Sequence, residues 1–233
     1  MKIIEITHLT KIYKETEVEV KAIDDISLTF EQGEFTCIVG PSGSGKTTLL
    51  NMMGGLDKPT EGDITIGGTD ILKLNESKLI DFRLRNIGFV FQAYNLIPVL
   101  TARENVEFIM QLQKKPKKER QQRSLELLKS VGLLDRINSR PAKLSGGQQQ
   151  RVAVARALAT KPKYILADEP TANLDSKSAE MLLDIMEKLN HEENMTFIFS
   201  THDARVVKKA RRIITLVDGT IANDELRNPH EPH

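Results

Sequence analysis

The chain has 233 residues, 39% of them hydrophobic, which is enough to bury a sizeable core in one compact domain with a lobe or insertion. Its 33 lysines and arginines are balanced by 32 aspartates and glutamates, which argues against holding a polyanion by counterion release, so nucleic acid is not an expected partner. No apolar run approaches the roughly 20 residues that cross a bilayer, and the first residues lack the pattern of an export signal, so we expect neither a membrane span nor export.

Eight segments rich in β-branched and aromatic residues predict strands. The runs after Gly33, before Asp168 and before Ser200 are apolar without alternation, which is typical of central parallel strands covered by helices on both faces. Up to about Thr69, strand and turn signals outnumber helical ones, which predicts a small antiparallel sheet beside an α/β core. The predicted strands are residues 2–8, 26–30, 35–39, 63–66, 87–91, 164–167, 196–200 and 212–217.

Residues 102–134 follow a mostly helical pattern. Thr101 and Glu104 have the spacing of a capping box, which predicts a helix beginning there. Pro116 interrupts the pattern, and a second helix is expected to begin near Lys118. The pattern therefore predicts a helical lobe inserted into the core.

A glycine-rich loop lies between the predicted strand 35–39 and a helical run that begins at Thr48, which is the context of a P-loop. Its glycines let successive backbone N–H groups surround a phosphate at the start of the helix. Lys46 is then expected to reach the β- and γ-phosphate oxygens, and Thr47 to ligate Mg²⁺. The predicted phosphate-binding residues are Gly40, Pro41, Ser42, Gly43, Ser44, Gly45, Lys46, Thr47 and, at the start of the helix, Thr48.

Two adjacent carboxylates, Asp168 and Glu169, end the apolar strand 164–167. Side chains alternate along a strand, so the two residues cannot do the same job. We expect Asp168 to be the Mg²⁺ partner and Glu169 to orient and deprotonate the attacking water. A solvated exit from the sheet is the alternative interpretation, and the P-loop upstream argues against it.

Leu144 is followed by Ser145, Gly146, Gly147 and Gln148, and then by a helical run with apolar residues three apart. Ser145 and the glycine N–H groups can form a second anion-binding helix start that lacks a lysine. The alternative is that Ser145 only caps the helix, and the two roles are compatible. This LSGGQ segment, placed between a P-loop and an Asp-Glu strand end, resembles the signature of ABC ATPases, and the resemblance covers nearly the whole chain.

The resemblance implies an α/β fold with a P-loop NTPase (RecA-like) core, an N-terminal antiparallel β subdomain and an inserted helical subdomain. It places the core and β subdomain at about 1–91 and 157–224, the helical subdomain at about 92–156, and a tail at 225–233. It further implies an ATP-dependent homodimer in which the signature of one subunit closes over the γ-phosphate held by the P-loop of the other. ATP and Mg²⁺ are the implied ligands.

Four more positions match family motifs, and the resemblance implies a role for each. Tyr13 would stack on adenine, although ordinary packing is an alternative for a tyrosine after a strand. Gln92 would reach Mg²⁺ and the attacking water. Asp175 would lie in a loop that crosses the dimer interface and could also cap a helix. His202 would contact the γ-phosphate from the carboxyl end of a strand, where α/β sheets bind ligands.

The apolar segment 94–100 follows Gln92 and is expected to lie partly at the surface, as a docking site for another protein. The alternative is a loop folded onto the core of the lobe. In ABC ATPases this region receives the coupling helix of a membrane permease, which implies a peripheral protein at the cytoplasmic face of the membrane. Residues 89–92, 96–98 and 100–106 resemble the subgroup that serves lipoprotein release, macrolide and peptide efflux, and cell division.

Overall fold

A computed structural model describes residues 1–14 and 19–227 of the chain. Within these residues there are ten strands and seven α-helices. The strands are β1 (Lys2–Tyr13), β2 (Val20–Glu31), β3 (Phe35–Val39), β4 (Glu61–Ile66), β5 (Thr69–Asp70), β6 (Ile87–Phe91), β7 (Tyr164–Asp168), β8 (Thr196–Ser200), β9 (Arg212–Val217) and β10 (Thr220–Leu226). The helices are α1 (Lys46–Met53), α2 (Glu76–Asn86), α3 (Ala102–Leu112), α4 (Lys117–Ser130), α5 (Gly146–Leu158), α6 (Ser176–Glu193) and α7 (Ala204–Lys209).

The core is a six-stranded sheet in the order β10-β9-β3-β8-β7-β6, in which β9, β3, β8, β7 and β6 run parallel. As predicted, β3, β7 and β8 are buried almost along their whole length. Phe35 and Phe199 pack within this core with ring centroids 4.7 Å apart and ring planes tilted by 50°. Because these strands are parallel, their carboxyl ends meet at one edge, which is where α/β sheets bind ligands.

A second sheet of four antiparallel strands, in the order β2-β1-β4-β5, packs beside the core. Its buried isoleucines, among them Ile4 and Ile64, share one apolar cluster with Leu49 and Met52 of α1. The helix that follows the glycine-rich loop is therefore clamped between the two sheets.

The predicted helical lobe is formed by α3, α4 and α5, which pack against one another and share an apolar cluster with the core sheet. The helix α3 begins with the expected capping box of Thr101 and Glu104. The helix α4 begins at Lys117, directly after Pro116. The α/β fold with an antiparallel β subdomain and a helical lobe is thus confirmed.

Several elements differ from the predicted ranges. The strands β1 and β2 are longer than predicted and reach Tyr13 and Val20 as one paired ribbon. Two strands, β5 and β10, were not predicted, and β10 continues to Leu226, into the segment interpreted as a tail. Residues 228–233 of that segment lie outside the described residues. None of the described helices combines the length and apolar composition that crossing a bilayer requires.

Candidate active site

The glycine-rich loop joins β3 to α1 at the carboxyl edge of the core sheet. Gly40 and Gly45 have positive φ angles of 155° and 98°. A Cβ atom at Gly40 would lie 2.0 Å from the Leu216 carbonyl oxygen, and one at Gly45 would lie 2.3 Å from that of Ala22. Only glycine therefore fits these two positions, and the loop can bring its N–H groups close to a bound anion.

Lys46 and Ser44 line the inside of this loop. The Lys46 Nζ atom donates hydrogen bonds to the carbonyl oxygens of Gly40 and Pro41, at 2.8 Å each. The buried Ser44 hydroxyl has no hydrogen-bond partner among the described residues. A positioned ammonium group and an unpaired buried hydroxyl in a glycine-lined concavity suit a phosphate group.

Thr47 and Asp168 meet although they come from α1 and β7. The Thr47 hydroxyl donates to the Asp168 carboxylate at 3.2 Å and 3.3 Å. Gln92 directly follows the last residue of β6, Phe91, which pairs with Asp168 of β7. The Gln92 side chain therefore lies near the Thr47–Asp168 pair, and it lines the same cleft as Thr47. Hydroxyl, carboxylate and amide oxygens are ligands that Mg²⁺ accepts.

Glu169 has a strained backbone and a carboxylate with two hydrogen-bond partners. Its φ angle is 45°, in the left-handed region, which is uncommon for any residue other than glycine. The carboxylate lies 2.7 Å from His202 Nδ1 and accepts a hydrogen bond from the Thr201 hydroxyl at 2.9 Å. The structure thus brings two predicted catalytic residues together and adds Thr201, for which the sequence carries no signal beyond its position before His202.

Most of these groups line one open cleft of about 790 Å³. Asp168 and Thr201 are not part of this lining, and Asp168 contacts it through the Thr47 hydroxyl. The whole predicted phosphate loop through Thr48 lines it, together with Gln92, Glu169 and His202. Sequence reasoning missed part of the wall, which comes from the start of β2, the end of β8 and the turn after β9. These additional residues are Val20, Lys21, Ala22, Ser200 and Asp218.

Tyr13 lies beside this cleft and is not part of its lining. It pairs with Val20, a lining residue, across the β1–β2 ribbon. The Tyr13 hydroxyl donates to Asp57 at 2.8 Å, and the Lys11 ammonium lies 4.7 Å from the centre of the ring. Partial burial opposes ionisation of Asp57, but the hydrogen bonds from Lys11 and Tyr13 outweigh it and lower the pKa of the carboxyl.

The signature residues lie on the helical lobe and do not line the cleft of their own chain, within the part that the structure describes. Ser145 caps α5, because its hydroxyl accepts from the Gln148 N–H at 3.3 Å while the Gln148 side chain accepts from the Ser145 N–H at 2.9 Å. Gly146 faces Tyr94, whose hydroxyl would lie 2.7 Å from a Cβ atom there. Gly147 packs against Ser178, and a Cβ atom at Gly147 would lie 2.8 Å from the Ser178 side chain.

Asp175 caps α6, which is the alternative role that the sequence allowed. Its carboxylate accepts hydrogen bonds from the N–H and the hydroxyl of Ser178, at 3.0 Å and 2.6 Å. The contact between Ser178 and Gly147 therefore joins this cap to the start of the signature helix.

Segment 94–100 is partly exposed and partly packed. Leu96 packs against the core of the lobe, whereas Val99 is 68% exposed. Ile97 lines a small, mainly apolar cavity of about 310 Å³ between β6 and α3, together with the half-exposed Phe108. The buried Asn105 side chain fixes the segment by hydrogen bonds to the Ile97 N–H and to carbonyl oxygens along the loop.

A P-loop at the carboxyl edge of a parallel sheet, facing a threonine–aspartate pair and a strand-end glutamate, defines a nucleoside triphosphatase of the P-loop class. Comparison with known proteins narrows this class. The family model described as ABC transporter matches residues 23–172. The chain is 50% identical to the ABC transporter ATP-binding protein YvrO of Bacillus subtilis (strain 168), over 94% of this chain and 96% of that protein.

Two further relatives carry names from one subgroup. The lipoprotein-releasing system ATP-binding protein LolD 1 of Chlorobium chlorochromatii is 46% identical, with 94% of this chain and 91% of that protein covered. The macrolide export ATP-binding/permease protein MacB of Hyphomonas neptunium is 46% identical over 95% of this chain but only 34% of its own length. The solved dimeric structure of the cassette MJ0796 of Methanocaldococcus jannaschii, bound to ADP and phosphate, superposes with a TM-score of 0.89 at 45% identity, covering 97% and 99% of the two chains.

The chain belongs to the ABC transporter family, and it is an ATP-hydrolysing cassette of that family. The predicted resemblance to the lipoprotein-release and macrolide-export subgroup is confirmed by these relatives.

Proposed function

We propose that this cassette drives a separate membrane permease from the cytoplasmic face of the membrane, by closing as a head-to-tail homodimer around two MgATP molecules. The observation that carries the dimer is the position of the signature. Its capped helix start has the N–H groups to bind a phosphate, yet it lies away from the cleft of its own chain. The related cassette MJ0796 is dimeric in its solved structures, which supports the same assembly here.

In this proposal the phosphate loop holds the β- and γ-phosphates, with Lys46 turning from its two carbonyl partners towards them. Thr47, Asp168 and Gln92 would hold Mg²⁺, which would neutralise charge on the phosphate oxygens. Tyr13 would stack on adenine beside Val20.

Glu169 would orient the attacking water and accept its proton. The hydrogen bonds from Thr201 and His202 fix its carboxylate at the end of β7, so little reordering is needed during the reaction. His202, whose side chain is 77% exposed, would contact the γ-phosphate from the same edge.

On the partner subunit, Ser145, Gly146, Gly147 and Gln148 would close over the γ-phosphate, and Asp175 would lie at the dimer interface. Cradling a phosphate by N–H groups without a lysine suits a site whose cation is supplied by the opposite P-loop. The negative charge of two nucleotides opposes closure. Hydrolysis would cleave off the γ-phosphate that joins the P-loop of one subunit to the signature of the other, so the dimer would then reopen.

The permease would dock at segment 94–100. Exposed Val99 and the adjoining apolar cavity at Ile97 and Phe108 offer a concave surface for a short amphipathic helix. The relative MacB, which is named as an ATP-binding/permease protein, matches this chain over only 34% of its length, which is consistent with a permease lying outside the cassette.

Gel filtration of Glu169→Gln with MgATP tests the proposal. This variant loses the base and one negative charge per site, so we expect at least the roughly 100-fold loss of hydrolysis typical of a missing general base, and a stable dimer. Wild type should run mainly as a monomer under matched salt.

Ser145→Ala in the Glu169→Gln background should abolish the dimer. Thr101→Ala is the matched control, since it removes the other capping box of the lobe at a similar cost of about 1 kcal/mol and leaves the signature intact. A Glu169→Gln protein that stays monomeric in saturating MgATP would refute the head-to-tail mechanism.

A further inference from the structure

Gln150 is a fully buried polar residue on the signature helix α5. Its Nε2 atom donates hydrogen bonds to the carbonyl oxygens of Pro170, at 2.9 Å, and of Phe91, at 3.3 Å. Pro170 directly follows Glu169, and Phe91 directly precedes Gln92. One side-chain amide therefore holds the backbone next to both residues proposed to act on the attacking water.

The orientation of this amide follows from its neighbours. Both partners are carbonyl oxygens, which only accept hydrogen bonds, so the NH₂ group of Gln150 must face them. Its Oε1 atom is then buried, with no hydrogen-bond partner among the described residues. Unpaired buried acceptors are uncommon, and an apolar side chain of similar size would avoid one here. The two hydrogen bonds that the NH₂ group donates offset this penalty.

The same helix begins at Gly146 of the signature, four residues before Gln150. A helix rises about 1.5 Å per residue and moves as a stiff rod over so short a distance, so a displacement of its start reaches Gln150 almost undiminished. A parallel link reinforces this connection, because Asn173 Nδ2 donates to the Gln92 carbonyl oxygen at 3.1 Å. The Tyr94 hydroxyl in turn contacts the Asn173 carbonyl oxygen and covers Gly146.

We infer that Gln150 is a positioning residue that couples the two ATP sites of the dimer. The inference rests on the proposed function, in which the start of α5 closes on the nucleotide of the partner while Gln92 and Glu169 act on the nucleotide of their own chain. Closure of α5 onto one ATP then pulls the two catalytic loops into place around the other.

The test uses Gln150→Met, which keeps the size of the side chain and removes the hydrogen bonds, and Gln150→Asn, which keeps the amide and shortens its reach. Asn190→Leu is the matched control. Asn190 is also a buried amide that donates to backbone carbonyl oxygens, those of Gly33 and Met195, but it lies at the opposite end of the core sheet.

We expect both Gln150 variants to bind ATP within about 2-fold of wild type, because no phosphate-loop contact is lost. Their kcat should fall by about 10-fold, the effect of one hydrogen bond on positioning. The Hill coefficient for MgATP should fall from above 1 in wild type to about 1. Asn190→Leu should lower the melting temperature and leave the Hill coefficient unchanged.

If wild type hydrolyses ATP, and Gln150→Met and Gln150→Asn both keep its kcat and Hill coefficient, this inference alone is wrong. A loss of kcat that Asn190→Leu reproduces at an equal loss of melting temperature would also overturn it, since that result would indicate a structural role only. A wild type that fails to hydrolyse ATP, or a Glu169→Gln protein that stays monomeric, would overturn the proposed function and this inference together.

Discussion

The Glu169 N–H donates a hydrogen bond to the Ser200 carbonyl oxygen at 2.8 Å, and this contact between β7 and β8 holds Glu169 in its left-handed conformation. For an L-residue other than glycine that conformation costs about 1–2 kcal/mol. The proposed catalytic base is therefore placed by stored backbone strain.

Replacing Glu169 with Gly or Ala measures this strain. At ordinary positions glycine is less stable than alanine by about 0.5–1 kcal/mol. Here the order should reverse, with Glu169→Gly more stable than Glu169→Ala by about 1 kcal/mol in urea unfolding without nucleotide. The neighbouring strand residue Asp168 provides the control. There the ordinary order should hold, with Asp168→Gly less stable than Asp168→Ala. An alanine variant that is the more stable one at residue 169 contradicts the strain argument.

Lys46→Ala should weaken ATP binding by about 2–3 kcal/mol, which corresponds to about 30- to 150-fold in Kd, because it removes the cationic contact to the phosphates. Isothermal titration calorimetry provides the measurement. Lys143→Ala removes an exposed lysine outside the cleft and should bind ATP like wild type. Equal ATP affinity in Lys46→Ala and Lys143→Ala would contradict the assignment of the phosphate loop.

Asp203 should make the fold sensitive to acid. Hydrogen bonds from Arg205 and Thr171 lower the pKa of its carboxyl to about 2, although partial burial opposes this. A carboxyl with a lowered folded pKa stabilises the native state above its unfolded pKa of about 3.9, and this contribution is lost as the pH falls through about 2. Its size at neutral pH is about 2 kcal/mol.

Asp203→Asn should accordingly lower the melting temperature at pH 7, and the gap to wild type should narrow between pH 4 and pH 3. Asp135→Asn is the control, since Asp135 is an exposed carboxylate on the lobe whose side chain is 72% accessible. A gap for Asp203→Asn that is constant across this range would show that its ionisation does not contribute to stability.

At the proposed docking segment, the structure favours Val99 over Leu96 as the test position, because Leu96 packs against the core of the lobe. Val99→Glu should reduce permease-stimulated ATPase activity at least 10-fold more than the activity of the isolated cassette. Leu134→Glu, at an apolar residue of the lobe that is 52% exposed, is the matched control. Equal loss of both activities in Val99→Glu would favour a packing role for the whole segment.

The core sheet could be predicted because buried parallel strands are continuous apolar runs, and four of the predicted ranges coincide with β3, β6, β8 and β9. The strand β10 could not, since six of its seven residues are exposed and follow no apolar alternation. The phosphate loop and the strand-end carboxylates carry local patterns, and the structure brings them together: Glu169 lines the same cleft as the loop, and Asp168 contacts Thr47. Thr201 and Gln150 carry none, because each depends on backbone groups that only the fold brings near.

The antiparallel hairpin of β9 and β10 also places Leu226 far from the nucleotide cleft. Val217 of β9 pairs with Thr220 beside the turn, near the cleft residue Asp218, whereas Leu226 pairs with Arg212 at the far end of the ribbon. A strand advances about 3.3 Å per residue, so the six residues from Thr220 to Leu226 carry the chain about 20 Å away from the nucleotide. A fluorescent label or affinity tag attached beyond Arg227 would start from the opposite edge of the sheet, which makes it a suitable reporter position for watching dimer closure without obstructing ATP.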